Sequence, residues 1–233
     1  MNLPKALLWD MDGTLIDSEV YWVNAQVALA QAHGRPYERR QSLEFIGKPI
    51  SDSAQIYVRV TGIELTPAQV SEAWCRSVEN AIIEQGVPWR PGALELLSAA
   101  RERGVAQGLV TSSYTRLAQL TASAVPGGMD VVVTGDSVAR LKPDPECYLT
   151  ACESLGVEPA QTVGFEDSGS GVGALLAAGV NAVCIPYMVP ISAHPRLSRL
   201  RSLTEVDLGV LGRLAAGEVI DHFEANAAAG GHH

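Results

Sequence analysis

Short apolar runs alternate with helix-forming stretches over most of the chain, and this pattern predicts the fold. Such runs are typical of buried strands, and they occur at residues 6–9, 105–110, 130–133, 162–165 and 182–185. Apolar residues at helical spacing lie between them, at residues 93–103, 115–123, 146–155 and 172–178. Strands that alternate with helices indicate right-handed crossovers and a parallel sheet. We therefore predict an α/β fold, with a parallel sheet core and helices on both of its faces.

The segment from residue 17 to residue 88 departs from this alternation, because its pattern is wholly helical. Its first helix is indicated by apolar residues at helical spacing, namely Val20, Val23, Val27 and Ala30. A second helix is predicted over residues 51–60. A third follows Thr66-Pro67, where a threonine can cap the helix and a proline suits its first position. We expect this segment to be an α-helical domain inserted into the core.

The rest of the chain is assigned to the core, which comprises residues 1–16 and 89–224. A last helix near residues 206–215 is expected to pack on the sheet edge. Residues 225–233 are low in complexity and end in Gly-Gly-His-His, so they resemble part of a purification tag. We expect that tail to be disordered and exclude it from the domains.

Composition restricts the partners and the compartment. Of the 233 residues 47% are hydrophobic and 18% charged, which suits a globular protein, and the net charge of -9 argues against nucleic acid as a partner. No apolar stretch reaches membrane-spanning length, and we expect no leader peptide because the first predicted strand begins close to Met1. The four cysteines form no Cys-x-x-Cys pair, so we expect reduced thiols in a cytoplasmic protein. A monomer or a weak homodimer is expected, because the chain has no long heptad pattern.

Two carboxylates, Asp10 and Asp12, stand directly after the first predicted strand and before Gly13-Thr14. Open α/β sheets bind ligands at the carboxyl ends of their strands. A carboxylate there can bind Mg²⁺ and attack an electrophile, and a second one can carry a proton. A plain acidic turn between a strand and a helix is the alternative. A calcium loop is excluded by spacing, because its twelfth position would be Tyr21 instead of a glutamate.

Three later segments also place polar groups at strand ends. They are Thr111-Ser112-Ser113, then Lys142 before Pro143-Asp144-Pro145, and then Glu166-Asp167-Ser168 before a glycine-punctuated helix start. Each has an ordinary structural explanation as well, since hydroxyls and acids cap helices and a lysine before a proline is common on surfaces.

The ordered set of these four segments resembles the haloacid dehalogenase superfamily of phosphotransferases. The resemblance implies a Rossmann-like core with a helical cap, and Mg²⁺ as the cofactor. It implies that Asp10 is the nucleophile and that Asp12 is the general acid and base, whose backbone carbonyl also reaches the metal. Thr111 and Lys142 would hold the phosphoryl oxygens, and Asp167 with Glu166 would complete the metal site.

The identity of Asp12 separates branches of this family. Dehalogenases carry an aromatic residue in its place and phosphonate-cleaving relatives a small one, so the resemblance favours hydrolysis of a phosphomonoester. A small phosphorylated metabolite, such as a sugar phosphate, is the expected substrate. The alternative is a phosphosugar mutase similar to β-phosphoglucomutase, which this chain resembles less at Trp22 and Ile50. A catalytically idle binding relative is the third hypothesis.

Further residues are candidates for substrate binding. Ser112 and Ser113 belong to the hydroxyl segment, and Glu19, Trp22 and Lys48 belong to the predicted cap. Lys48 lies in a Gly-Pro loop and is equally well explained as a solvated loop lysine. Trp22 is also explained as a residue of the cap's own core.

Overall fold

Six parallel strands form one sheet in a computed structural model that describes residues 2–45 and 48–223. The sheet order is β3-β2-β1-β4-β5-β6. The strands are β1 (Ala6–Trp9), β2 (Ala106–Val110), β3 (Val131–Val133), β4 (Thr162–Glu166), β5 (Asn181–Cys184) and β6 (Leu197–Arg199). The parallel α/β sheet and five of its strands are thereby confirmed. The sixth strand was not predicted, because Leu197-Ser198-Arg199 is too short and too polar to produce an apolar run.

Eight α-helices accompany the sheet in the described residues, three of them within residues 17–88. The helices are α1 (Glu19–Ala32), α2 (Ile50–Thr61), α3 (Pro67–Gln85), α4 (Ala93–Glu102), α5 (Thr115–Ala124), α6 (Glu146–Leu155), α7 (Gly169–Ala178) and α8 (Leu208–Ala215). Short 3-10 helices occur at Arg39–Phe45, Pro159–Gln161 and Leu203–Glu205. None of the helices in these described ranges has both the length and the apolar character needed to cross a membrane.

Helices cover both faces of the sheet. Leu8 of β1 packs in a buried cluster with residues of α6 and α7. Successive side chains of a strand point to opposite faces, so Gln107, which pairs in register with Leu7, lies on the other face. There its amide donates to the Leu97 carbonyl of α4 at 2.7 Å and accepts from the Trp9 indole at 3.0 Å. The buried sheet is thus enclosed by two helical layers, as predicted.

Two helix placements differ from the sequence predictions. Helix α8 contacts β4, which is an inner strand, so it lies over a face of the sheet and not at the edge. Helix α7 begins at Gly169, earlier than predicted, because the Ser168 hydroxyl accepts from the Gly171 amide and caps it. The predicted tail at residues 225–233 lies outside the described residues. All four cysteines are buried and free, which agrees with the expectation of thiols.

The chain divides into two compact units. One contains the chain up to Ile16 and from Trp89 onward, and the other is Asp17–Pro88. At the boundary Ile16 pairs with Trp89 in an antiparallel bridge, and the Asp17 amide donates to the Pro88 carbonyl at 2.7 Å. The two connections between the units therefore run side by side.

The unit at Asp17–Pro88 is helical and has its own aromatic core. Tyr57 of α2 packs edge-on against Trp74 of α3, with ring centroids 4.9 Å apart, and Phe45 lies 6.0 Å from Trp74. Thr66 and Gln69 form the capping box that starts α3, which confirms the prediction for that helix.

The first predicted helix is present as α1, although three of the four apolar residues that indicated it are not buried. Val20 is 45% exposed, whereas the buried positions of α1 are Tyr21, Ala25, Gln26 and Ala30. On this buried side α1 packs mainly against α3, and the Tyr57 hydroxyl of α2 donates to the Gln26 carbonyl at 2.7 Å.

Candidate active site

The predicted chemical segments follow three neighbouring strands of the sheet. Strand β1 lies between β2 and β4, and the chain order reverses across β1, which is the switch point where open α/β sheets bind ligands. Asp10 follows β1, Thr111 follows β2, and Glu166 ends β4. The Asp10 amide still donates to the Phe165 carbonyl at 3.0 Å, so the sheet's own hydrogen bonds fix its backbone.

A tight turn after Asp10 brings two acidic segments together. Gly13 has a φ of 89°, and its amide donates to the Ile16 carbonyl at 2.9 Å. A Cβ at this position would lie 2.7 Å from Cγ of Asp167, closer than real contacts allow. Glycine is therefore required here both by the positive φ and by the approach of the Asp167 carboxylate.

Lys142 lies at the centre of the polar groups. Its ammonium donates to Asp10 Oδ1 at 2.7 Å, to Glu166 Oε1 at 2.7 Å and to the Val110 carbonyl at 2.9 Å. Its side chain is only 5% exposed. Burial lowers the pKa of Lys142, but the neighbouring carboxylates of Asp10 and Glu166 raise it more, so the ammonium stays charged.

Three carboxylates surround this single ammonium. Ligand oxygens of Asp10, Glu166 and Asp167 all lie within 4.8 Å of one another. Burial, and then repulsion by Glu166, raises the pKa of Asp10 above its ordinary value. Burial and repulsion by Asp10 likewise raise the pKa of Asp167. The single ammonium of Lys142 therefore cannot neutralise the three carboxylates. Their oxygen atoms are the ligands that Mg²⁺ prefers.

Within this cluster Glu166 is already bound by protein donors. Its Oε1 accepts from the Tyr148 hydroxyl at 2.6 Å as well as from Lys142, and its Oε2 accepts from the Ser168 hydroxyl at 3.1 Å. The residue is completely buried. This arrangement makes Glu166 above all the counter-ion that holds Lys142 in place.

The hydroxyl segment reaches Asp12. The Ser113 hydroxyl donates to Asp12 Oδ2 at 2.7 Å, and the Ser113 amide donates to the Thr111 hydroxyl at 3.0 Å. Thr111 is buried and Ser112 is half-buried. The predicted residues Asp10, Asp12, Thr111, Ser113, Lys142, Glu166 and Asp167 thus form one hydrogen-bonded or closely packed group at the ends of β1, β2 and β4.

The remaining predicted residues lie in the helical unit. Glu19 is in the first turn of α1, and Trp22 is half-buried on the same helix. Lys48 is exposed, and its ammonium donates to the Glu44 carbonyl of its own unit.

Two residues that contact this group, Tyr148 and Arg90, were not predicted from the sequence. Tyr148 occupies an apolar position of α6, and its ring centroid lies 5.1 Å from the Lys142 ammonium. Arg90 follows the second connection between the units. Its guanidinium donates to the Gly13 carbonyl and lies over the Tyr187 ring at 4.4 Å. A helix-face tyrosine and a loop arginine are ordinary in sequence, so only the tertiary contacts identify them.

Comparisons with known proteins identify the family of the chain. The chain matches the family described as haloacid dehalogenase-like hydrolase over residues 4–179. It is 36% identical over 210 residues to validoxylamine A 7'-phosphate phosphatase of Streptomyces hygroscopicus subsp. limoneus, which covers 87% of this chain and 95% of that protein. It is 30% identical over 223 residues to hexitol phosphatase B of Escherichia coli strain K12, covering 89% and 99% of the two chains.

A solved structure shows the same fold. The crystal structure of CbbY from Rhodobacter sphaeroides in complex with phosphate superposes with a TM-score of 0.78. The sequences are 24% identical, and the match covers 87% of this chain and 96% of that one.

Proposed function

Because the chain belongs to the phosphatase branch of the haloacid dehalogenase-like hydrolase family, we propose that it hydrolyses a small soluble phosphomonoester. We propose that the reaction proceeds through an aspartyl-phosphate on Asp10. The observation that carries the proposal is the contact of Asp10 with Lys142 inside a buried acidic cluster, at the ligand-binding end of the sheet. A nucleophile, a fixed cation and a group of metal-binding oxygens are the parts that phosphoryl transfer requires.

The reaction is proposed in two steps. In the first, a carboxylate oxygen of Asp10 attacks phosphorus, the bond from phosphorus to the substrate oxygen breaks, and Asp12 gives its proton to that oxygen. In the second, water attacks the phosphorus of the aspartyl-phosphate while Asp12 takes a proton from the water. The bond from phosphorus to the Asp10 oxygen breaks, which frees the Asp10 carboxylate and releases inorganic phosphate. Lys142 and the Thr111 hydroxyl stabilise the charge on the phosphoryl oxygens, which is the main requirement of this chemistry.

We propose Mg²⁺ as the cofactor, held by carboxylates of Asp10 and Asp167 and by the backbone carbonyl of Asp12. The raised pKa values of Asp10 and Asp167 support this assignment, because they reflect burial first and then repulsion by neighbouring carboxylates, and a bound cation would favour the charged form of both groups. Glu166 lies in the same cluster, but its carboxylate already accepts hydrogen bonds from Lys142 and Tyr148. We therefore propose that Glu166 lies next to the residues that bind the ion and does not bind it directly. The bound ion would supply charge neutralisation at the transferring phosphoryl group.

The substrate is proposed to be a sugar phosphate or a similar phosphorylated carbohydrate. Support comes from the relatives, whose names describe phosphatases of validoxylamine A 7'-phosphate and of hexitol phosphates. We propose that the helical unit Asp17–Pro88 acts as the cap that selects the substrate, with Glu19, Trp22 and Lys48 as its candidate contacts. An inserted helical unit can exclude water and complete a pocket when it closes.

The test is phosphate release from a panel of sugar phosphates and from p-nitrophenyl phosphate, with Mg²⁺ and with EDTA. We expect Mg²⁺-dependent turnover by the unmutated protein and none by Asp10→Asn, which keeps the size of the side chain but removes the nucleophile. Asp52→Asn, at an exposed position of α2, is the matched control and should remain active. Lack of turnover on the whole panel would refute the proposal. Faster conversion of glucose 1-phosphate to glucose 6-phosphate than to free phosphate would instead identify a mutase.

A further inference from the structure

Every polar group of Ser113 is engaged by the core unit. Its hydroxyl donates to Asp12 Oδ2 at 2.7 Å, its amide donates to the Thr111 hydroxyl at 3.0 Å, and its carbonyl accepts from the Gly135 amide at 3.0 Å. The residue is 6% exposed. Ser113 is therefore held from three directions, and its side-chain hydroxyl is directed at Asp12.

The loop after β3 keeps Ser113 in this position. A Cβ at Gly135 would lie 2.9 Å from the carbonyl carbon of Ser112, so only a glycine allows the two loops to pack so closely. The next residue, Asp136, accepts from the Thr134 hydroxyl at 2.6 Å and from the Thr115 amide at 3.1 Å. These bonds tie the β3 loop to the start of α5, directly after the hydroxyl segment.

A serine hydroxyl has a single proton to donate. In Ser113 this proton is directed at Asp12, whereas a contact with the substrate's phosphoryl oxygens would need the same proton. The geometry therefore distinguishes Ser113 from Thr111, although both belong to the same hydroxyl segment and both are predicted to contact the substrate.

We infer that Ser113 is a positioning residue for Asp12, an inference that rests on the proposed phosphatase function. Its hydroxyl fixes one carboxylate oxygen of Asp12, which limits rotation of that side chain. When Asp12 passes its proton to the leaving oxygen, it becomes negatively charged, and the Ser113 hydroxyl donates to the new carboxylate. The Ser113 proton itself stays on its oxygen throughout, so the transfer is only from Asp12 to the leaving group.

A comparison of leaving groups tests this inference. p-Nitrophenol leaves readily as an anion and gains little from protonation, whereas a sugar alcohol must be protonated as it leaves. The value of kcat/KM reports only steps up to phosphorylation of the enzyme, so it isolates this difference. General acid catalysis contributes roughly 10²–10⁴-fold. We therefore expect Ser113→Ala to lower kcat/KM about tenfold or more for the sugar phosphate that is hydrolysed fastest, and about threefold or less for p-nitrophenyl phosphate.

Two further variants make the test specific. In an Asp12→Asn background, Ser113→Ala should cause no additional loss with the sugar phosphate, because residues that act through one another are not additive. Ser123→Ala removes an exposed hydroxyl of α5 that donates to the Leu120 carbonyl, and it should leave both kcat/KM values unchanged.

The possible outcomes distinguish a failure of the role inferred for Ser113 from a failure of the proposed phosphatase function. Equal losses of kcat/KM with the two substrates, or an additive loss in the Asp12→Asn background, would overturn the role of Ser113 and indicate a phosphate contact or a general disturbance of the loop. An unmutated protein without Mg²⁺-dependent turnover would overturn the proposed function, and the role of Ser113 with it.

Discussion

Replacing Lys142 with methionine is expected to destabilise the protein strongly, and the buried ion cluster explains why. Methionine keeps much of the side chain's volume but removes the ammonium. Asp10 and Glu166 would then lose the ammonium that donates to both of them. Water cannot easily replace it, because the Glu166 side chain is fully buried and that of Asp10 is only 11% exposed. Removing one partner of a buried ion pair costs about 3–5 kcal/mol, because it leaves an uncompensated charge in the interior. That is a large part of a typical free energy of unfolding of about 5–15 kcal/mol.

The loss should depend on pH in a defined direction. Burial and Glu166 already raise the pKa of Asp10 above its ordinary value of 3.8, and Lys142 partly opposes this. Without Lys142 the pKa of Asp10 rises further, so the folded variant holds protons that the unfolded chain has released. The free energy of unfolding of the variant therefore falls as the pH rises from the ordinary pKa of Asp10 toward its raised pKa in the folded protein. The destabilisation should be larger at about pH 8 than at about pH 5.5.

Urea unfolding followed by circular dichroism, in EDTA and at both pH values, measures these differences. Lys5→Met is the matched control, because Lys5 is exposed and should contribute little. Lys142→Met combined with Glu166→Gln should recover part of the loss by removing one uncompensated charge. A loss below about 1 kcal/mol for Lys142→Met at the higher pH, typical of an exposed ion pair, would refute this account of the cluster.

Three other predictions follow from the same group of residues. Gly13→Ala should raise the Mg²⁺ concentration needed for half-maximal activity about tenfold or more, because its Cβ would displace the Asp167 carboxylate; an unchanged Mg²⁺ titration would contradict this. Mg²⁺ should bind more tightly as the pH rises, because protons compete for Asp10 and Asp167, whose pKa values are raised by burial and mutual repulsion. Calorimetry in buffers of different ionisation enthalpy should then detect proton release, and its absence would count against the assignment. Tyr148→Phe should cost about 1.5–3 kcal/mol in urea unfolding, the usual value for a hydrogen bond to a charged group, whereas a loss near zero would mean that Glu166 does not depend on this donor.

The sequence was sufficient where local signals and strand ends coincide. Apolar runs located five of the six strands, and the chemical segments at Asp10, Thr111 and Glu166 all proved to follow adjacent strands. This worked because parallel strands place their carboxyl ends on one side of a sheet, so chain order alone brings these residues near one another.

Tertiary contacts decide what local signals leave open. Tyr148 reads as one more apolar helix residue, and its role at Glu166 depends on the packing of α6 against the sheet. Val20 satisfies helical spacing as well as Tyr21 does, but the packing of α1 against α3 leaves Val20 exposed, whereas Tyr21 is buried and its hydroxyl donates to the Gly86 carbonyl. In the sequence Ser113 differs little from the other hydroxyl residues beside it, and only the fold brings its hydroxyl to Asp12.

The paired connections at the unit boundary also bear on how this architecture can change. Ile16 and Trp89 are already neighbours within the core unit, and the ends of the helical unit hydrogen-bond to each other through Asp17 and Pro88. A segment whose two ends meet in this way can be lengthened, shortened or exchanged for another without shifting the register of any strand. If the helical unit selects the substrate as proposed, recombination at this junction would change the specificity and leave the reaction centre unchanged, and a chimera carrying a relative's insert would be a direct route to a different substrate.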